Sequence, residues 1–123
     1  MAEFTVELVA VDRKLWSGQA TMVTAETTDG ELGVLPGHQP LLGQLLDNGV
    51  VTITGANGDR VVFGVQGGFL SVSKEKVTVL ADWAITSEEW DSSTVEEYEN
   101  SDDEYVRAHG ITARRAQRRA ELI

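Results

Sequence analysis

A chain of 123 residues has the length of a single compact domain with at most a small appendage, able to bury roughly two-thirds of the surface its unfolded form exposes. Cysteine is absent, which excludes disulfides, thiolate metal sites and a cysteine nucleophile, and the formal charge of −10 argues against wrapping nucleic acid or lying on an anionic membrane. The opening Met1-Ala2-Glu3-Phe4 lacks the basic and apolar regions of a secretion signal, and no apolar run approaches the roughly 18 residues of a membrane span, so a soluble chain is expected.

Up to Asp82 the hydrophobic period is two. Phe4 to Leu8, Val50 to Thr54, Phe69 to Ser73 and Val77 to Leu80 alternate apolar and polar residues and are rich in β-branched side chains, the pattern of half-buried strands. Turn chemistry separates them at Thr28-Asp29-Gly30, Asp47-Asn48-Gly49, Ala56-Asn57-Gly58-Asp59 and Gly67-Gly68. Asn57-Gly58 predicts a hairpin through a type I′ turn. Gly64 to Gly68 lacks the spacing of a phosphate loop and predicts a bulge or a close backbone approach. Frequent turns between many short strands predict an antiparallel sandwich or barrel.

Both prolines, Pro36 and Pro40, lie in the stretch Gly30 to Leu42. They fix their own φ and push Leu35 and Gln39 out of the helical region, while the neighbouring glycines permit turns, so His38 is presented on a stiff loop. Such a loop joins two strands or binds a partner.

At Asp82 the composition breaks, and we take this as the boundary between residues 1–82 and 83–123. From Asp82 to Glu104 there are acids and no lysine or arginine; then Arg107, Arg114, Arg115, Arg118 and Arg119 follow. Thr86 to Glu89 fits a capping box, predicting a helix from about Ser87 to Glu99 with Trp90, Thr94 or Val95, and Tyr98 on one face. Asn100 to Glu104 reads as a break, and Gly110-Ile111-Thr112 leads into a second helix. There Ala113, Ala116, Ala120 and Ile123 form a narrow apolar stripe, with Arg114, Arg115, Arg118 and Arg119 on the opposite side. The arginines form a solvated face or meet acids, either those of Glu88 to Glu104 or those of a partner.

Catalysis has little support in these residues. His38 and His109 are the two histidines, no nucleophile elbow, metal-binding histidine pair or Walker loop accompanies them, and Glu31 with His38 is an acid/base pair by spacing alone. The acidic run lacks the alternation and central glycine of a calcium loop.

Three segments carry a resemblance: Glu31 to Leu42, with its Pro36-Gly37-His38-Gln39-Pro40-Leu41-Leu42; Gln66-Gly67-Gly68-Phe69-Leu70-Ser71-Val72; and Val77-Thr78-Val79-Leu80-Ala81-Asp82. In this order and spacing they resemble the bacterial-type ε subunit of the rotary F-type ATP synthase. The resemblance covers the first eighty or so residues closely and the remainder in outline.

It implies an α+β fold, an N-terminal antiparallel β-sandwich of two sheets followed by a C-terminal two-helix hairpin. It implies a non-catalytic rotor subunit of the central stalk, coupling ring rotation to ATP synthesis made elsewhere, at the cytoplasmic face of the bacterial plasma membrane. The loop with Glu31, Leu35, Pro36, His38 and Pro40 is then expected to meet the c ring, a sandwich face the γ subunit, and the arginine-bearing tail the catalytic α and β subunits, restraining hydrolysis. Members that bind ATP carry an Asp-x-x-Arg-Ala motif in the first helix. Here Asp91 alone matches, so no cofactor is expected. The alternative is a free-standing sandwich module binding a ligand or peptide through Gly30 to Pro40.

Overall fold

The computed structural model describes residues 3–86 and 92–121, with the backbone alone for Ser92 and Ser93. Seven strands precede two helices: β1 (Phe4–Ala10), β2 (Lys14–Thr27), β3 (Gly30–Val34), β4 (Leu41–Gln44), β5 (Gly49–Gly55), β6 (Arg60–Val72), β7 (Lys76–Ile85), α1 (Ser92–Glu99) and α2 (Glu104–Glu121). The β-sandwich followed by two helices is the architecture expected of the sequence. Period-two alternation places Phe4, Val6, Leu8 and Ala10 of β1 inward, opposite Val23, Val51, Ile53, Phe63, Val65, Leu70, Val77 and Val79. Burying each of the larger of these side chains is worth about 1.5–3 kcal/mol, and this is the main stabilisation of the sandwich.

The strands run in the order β1-β7-β6-β5-β2-β3, β4 adds to β6, and a further pairing of β1 with β2 closes the sheet on itself. Closure departs from the antiparallel expectation in one place, because β1 and β7 pair in parallel. The first and last strands become neighbours only at the end of the chain, with no hairpin to set their direction. The two layers arise because long strands change partners. The first half of β2 pairs with β1 and its second half with β5 and β3. The first half of β6 pairs with β5 and its second half with β4.

Gly67 and Gly68 sit where β6 changes partner, both at positive φ (63° and 111°). A Cβ on Gly68 would fall 2.0 Å from the Leu80 carbonyl oxygen, so β6 and β7 can approach there only without a side chain. This is the close backbone approach expected of the segment. The β5–β6 connection differs from the type I′ turn: Gly58 has positive φ and Asn57 does not. The Asn57 amide oxygen instead accepts from the Asp59 N–H, and Gly55 N donates to Asp59 O, so the side chain supplies the turn that the backbone would otherwise make.

β7 runs through the composition break at Asp82 to Ile85. The capping box at Thr86 to Glu89, together with Trp90, Asp91 and Ile123, falls wholly or partly outside the described residues. α2 begins earlier than its apolar stripe suggests. Asp103 caps it, its carboxylate accepting the Tyr105 N–H at 2.9 Å and its carbonyl the Arg107 N–H. Gly110 therefore lies inside the helix rather than before it. A Cβ there would fall 2.7 Å from Glu99 Cγ and 3.0 Å from Glu99 N, so the glycine's helix cost is offset by close packing of α2 on α1.

The alanine stripe docks as its spacing predicts. Ala116, with Ala120, packs on Val50 and Val62, and Ala113 packs with Ile85 and Val95. The closest approach is at Gly64 of β6, where a Cβ would lie 2.9 Å from Thr112 Cγ2 and 3.0 Å from the Thr112 carbonyl oxygen. We predict that Gly64→Ala weakens docking of α2 by about 1–3 kcal/mol through overpacking. Native-state hydrogen exchange checks this, with protection lost in α2 and retained in the strands; equal loss in both would contradict it.

Candidate functional site

The proline loop is built from one tight turn. His38 N donates to Leu35 O at 3.0 Å, with Pro36 at the second position and Gly37 (φ 86°) at the third, the residues a type II turn requires. His38 Nδ1 lies 2.7 Å from the Gln39 carbonyl oxygen, which can only accept, so the proton sits on Nδ1. Leu35 is 57% exposed at the tip, with Pro40 also exposed and Pro36 half-buried. The structure thus brings Leu35, Pro36, His38 and Pro40 together on one end of the sandwich. Glu31 lies at the start of β3 and is engaged elsewhere.

A second surface was not legible as such. Gln44, Phe69 and Leu80 occupy one outward row across β4, β6 and β7, and Leu42 pairs with Ser71 in the next row. Phe69 and Leu80 are about half exposed and Leu42 is 71% exposed, an apolar set on the face that alternation assigns to polar residues. The available signal is the doubling of apolar residues at Phe69-Leu70 and Val79-Leu80, which fills both phases of the strand.

The third constellation joins tail and sandwich. Glu26 of β2 and Glu31 of β3 are direct cross-strand partners, an arrangement that brings two like charges side by side. Arg115 and Arg119, one helical turn apart on α2, answer them. Arg115 holds both carboxylate oxygens of Glu26 at 2.9 Å in a bidentate pair and also donates to the Asn48 carbonyl. Glu26 additionally accepts the Val50 N–H, and its side chain is only 14% exposed. Arg119 lies 3.6 Å from Glu31. These two arginines therefore find acids on the sandwich rather than in the acidic segment. Flanking the alanine stripe, their long stems reach across the edge of the helix to strands that composition describes as merely mixed.

Arg114 pairs with Glu99 of α1 at 2.6 Å, and Arg107 donates to the Ser101 carbonyl. Arg118 remains exposed and lines, with Val50, Arg115 and Arg119, a cavity of about 240 Å³.

Where both helices meet the end of β7, rings converge. His109 stacks on Trp83 with centroids 3.9 Å apart and planes 4° from parallel, and the edges of Tyr98 and Tyr105 complete the enclosure. His109 is buried and its Nε2 has no hydrogen-bond partner among the described residues. Desolvation pushes its pKa below the ordinary imidazole value, against a weaker upward pull from Asp103. Thr112 lies beneath, bonded to Asn48 and Gln66 of the sandwich. Sequence reasoning missed this cluster because its members are separated along the chain and belong to three elements.

No group of three His, Cys, Asp or Glu among the described residues is placed to hold a metal ion. Asp91, the one match to a nucleotide motif, lies outside them. No helix among the described residues is long and apolar enough to cross a membrane.

Residues 3–87 match the family of the ATP synthase delta/epsilon chain β-sandwich domain. Over 120 residues the chain is 63% identical to the ATP synthase epsilon chain of Corynebacterium efficiens, covering 98% of this chain and 97% of that one. It is 59% identical over the same length to the epsilon chain of Corynebacterium glutamicum, with the same coverage. Among solved structures, a chain of the Euglena gracilis mitochondrial ATP synthase OSCP/F1/c-ring assembly superposes with a TM-score of 0.70 at 25% identity, covering 99% of this chain and 81% of that one. A chain of the Tetrahymena thermophila mitochondrial ATP synthase central stalk and c ring shares the fold, with a TM-score of 0.57 at 16% identity over 96% and 92% of the two chains. The match of the β-sandwich and the identity along nearly the whole length establish that this chain belongs to the ATP synthase delta/epsilon family, and within it to the ε chains.

Proposed function

We propose that the chain is a non-catalytic rotor subunit of the F-type ATP synthase, coupling ring rotation to ATP synthesis and restraining ATP hydrolysis through its C-terminal helices. The work divides between residues 1–82, which bind stalk and ring, and residues 83–123, which regulate. As part of the synthase, the chain sits peripherally at the cytoplasmic face of the bacterial plasma membrane. The exposed apolar rows with Leu42, Phe69 and Leu80 suit the γ subunit, since an uncovered face of this kind on a closed sandwich marks an interaction site. The turn bearing Leu35, Pro36, His38 and Pro40, with Glu31 behind it, suits the polar loops of the c ring. A proline-braced turn on a closed sheet deforms little under torque. ATP is not expected to bind this chain, because the arginine of the nucleotide motif is replaced by Thr94.

The observation that carries the regulatory half is the docking of α2 by ion pairs. Small alanines supply the apolar contact, and the helix register places Arg115 and Arg119 over Glu26 and Glu31. The exposed Arg119–Glu31 pair is weak and screened over about 8 Å at physiological salt, and the more enclosed Arg115–Glu26 pair contributes more, so the docked tail is held but releasable. A released α2 presents its arginines to acidic surfaces of the α and β subunits.

Two outcomes follow for the matched catalytic head containing γ. Replacing Arg115 and Arg119 by alanine in the full chain leaves binding to γ intact and changes the suppression of ATP hydrolysis severalfold, read by titrating the head with each form; an unchanged inhibition curve would remove the tail from regulation. Replacing Phe69 and Leu80 by serine weakens binding to γ at least tenfold, since each loses about 1–2 kcal/mol of apolar burial. Calorimetry with unaltered affinity would remove this face from the γ interface.

A further inference from the structure

We propose that His109 is a proton-operated pin: uptake of a proton by its ring loosens α1 and α2 from the end of β7. The inference concerns docking of the tail alone and stands whether or not the tail restrains hydrolysis.

His109 is the point at which three elements meet. β7 contributes the face of Trp83, α1 the edge of Tyr98, and α2 the edge of Tyr105 one turn before His109 itself. A neutral imidazole fits this enclosure as an aromatic plate. A protonated one carries N–H groups on both ring nitrogens, and Nε2 is buried without an acceptor among the described residues.

The charged groups around the ring divide in their effect. Asp103, in the linker between the helices, favours the proton. Glu99 of α1 is taken by Arg114, and Asp82 of β7 lies exposed beside Tyr105 at the rim of a neighbouring cavity. Stacking on the Trp83 face also favours a cation. Burial opposes the proton, outweighs the pull of Asp103 and sets the pKa below the ordinary histidine value.

The sign follows from linkage. Undocking restores water to the ring, so the undocked state binds protons more readily than the docked one. Docking is at full strength above the ordinary imidazole value of about 6.5 and weakens as pH falls through the lower docked value. Each unit of depression makes the undocked tail about tenfold more populated, relative to docked, once the ring is fully protonated.

The test is an NMR titration of the full-length protein between pH 8 and 5.5. A short unstructured histidine peptide in the same sample marks the unperturbed value, and the His38 signal is assigned by a His38→Ala variant. We expect the His109 ring to titrate below the histidine peptide, with α2 amide signals shifting toward their undocked positions over the same range. His109→Phe, which keeps the aromatic plate and cannot take a proton, stays docked throughout. A His109 ring titrating at or above the histidine peptide would overturn the proposal. So would a His109→Phe variant that undocks with the parent's profile. Should that variant fail to fold, the titration of the parent decides alone.

Discussion

Strand β6 carries four interfaces at once, and the absence of side chains at chosen points is what allows it. Its first half completes the layer with β5, its second half completes the layer with β4, and β7 follows most of its length. At Gly68 the backbone of β7 passes so close that any side chain would occupy the position of the Leu80 carbonyl, and at Gly64 the backbone of α2 does nearly the same from outside. The sandwich closes because β6 can change layers, and the tail reaches its docked position because β6 leaves a gap for Thr112. The core of valine, leucine and phenylalanine supplies the stabilisation; the glycines decide which geometry that stabilisation selects.

The docked tail rests on a different balance. Alanines give α2 little apolar area to bury, so close approach and electrostatics hold it. Glu26 and Glu31 face each other across β2 and β3, and Arg115 and Arg119 meet them at the spacing of one helical turn. Glu26 is the more enclosed of the two acids and the better satisfied, by a guanidinium and the Val50 N–H together. The Trp83–His109 stack closes the other end of the contact. A tail secured by such elements has a defined resting position and a modest free energy of release.

Much of the sandwich was legible because alternation and turn chemistry are local. Phe4 to Leu8 reads as a strand from five residues, and the Leu35-Pro36-Gly37-His38 turn from four. What escaped depends on neighbours distant in sequence. Nothing near Glu26 announces a bond to a residue of the last helix, and the parallel pairing of β1 with β7 exists only once the barrel closes. Gly110 misled because a glycine near a helix start is a good punctuation signal; here it sits within α2 so that Glu99 of α1 can approach. Arg115 and Arg119, expected opposite the alanine stripe with Arg114 and Arg118, reached the sandwich because helical periodicity sets them at the flank of the stripe, from which their long stems cross to Glu26 and Glu31.

The tail docks through matched charges on a glycine-permitted surface. A double-mutant cycle between Glu26 and Arg115 tests it most directly, with docking read from hydrogen exchange of the α2 amides in the full chain. The expected coupling is about 1–2 kcal/mol, within the range for contacting charged side chains, with a smaller value at high salt. Additive effects of the two substitutions, with no coupling at low salt, would contradict it.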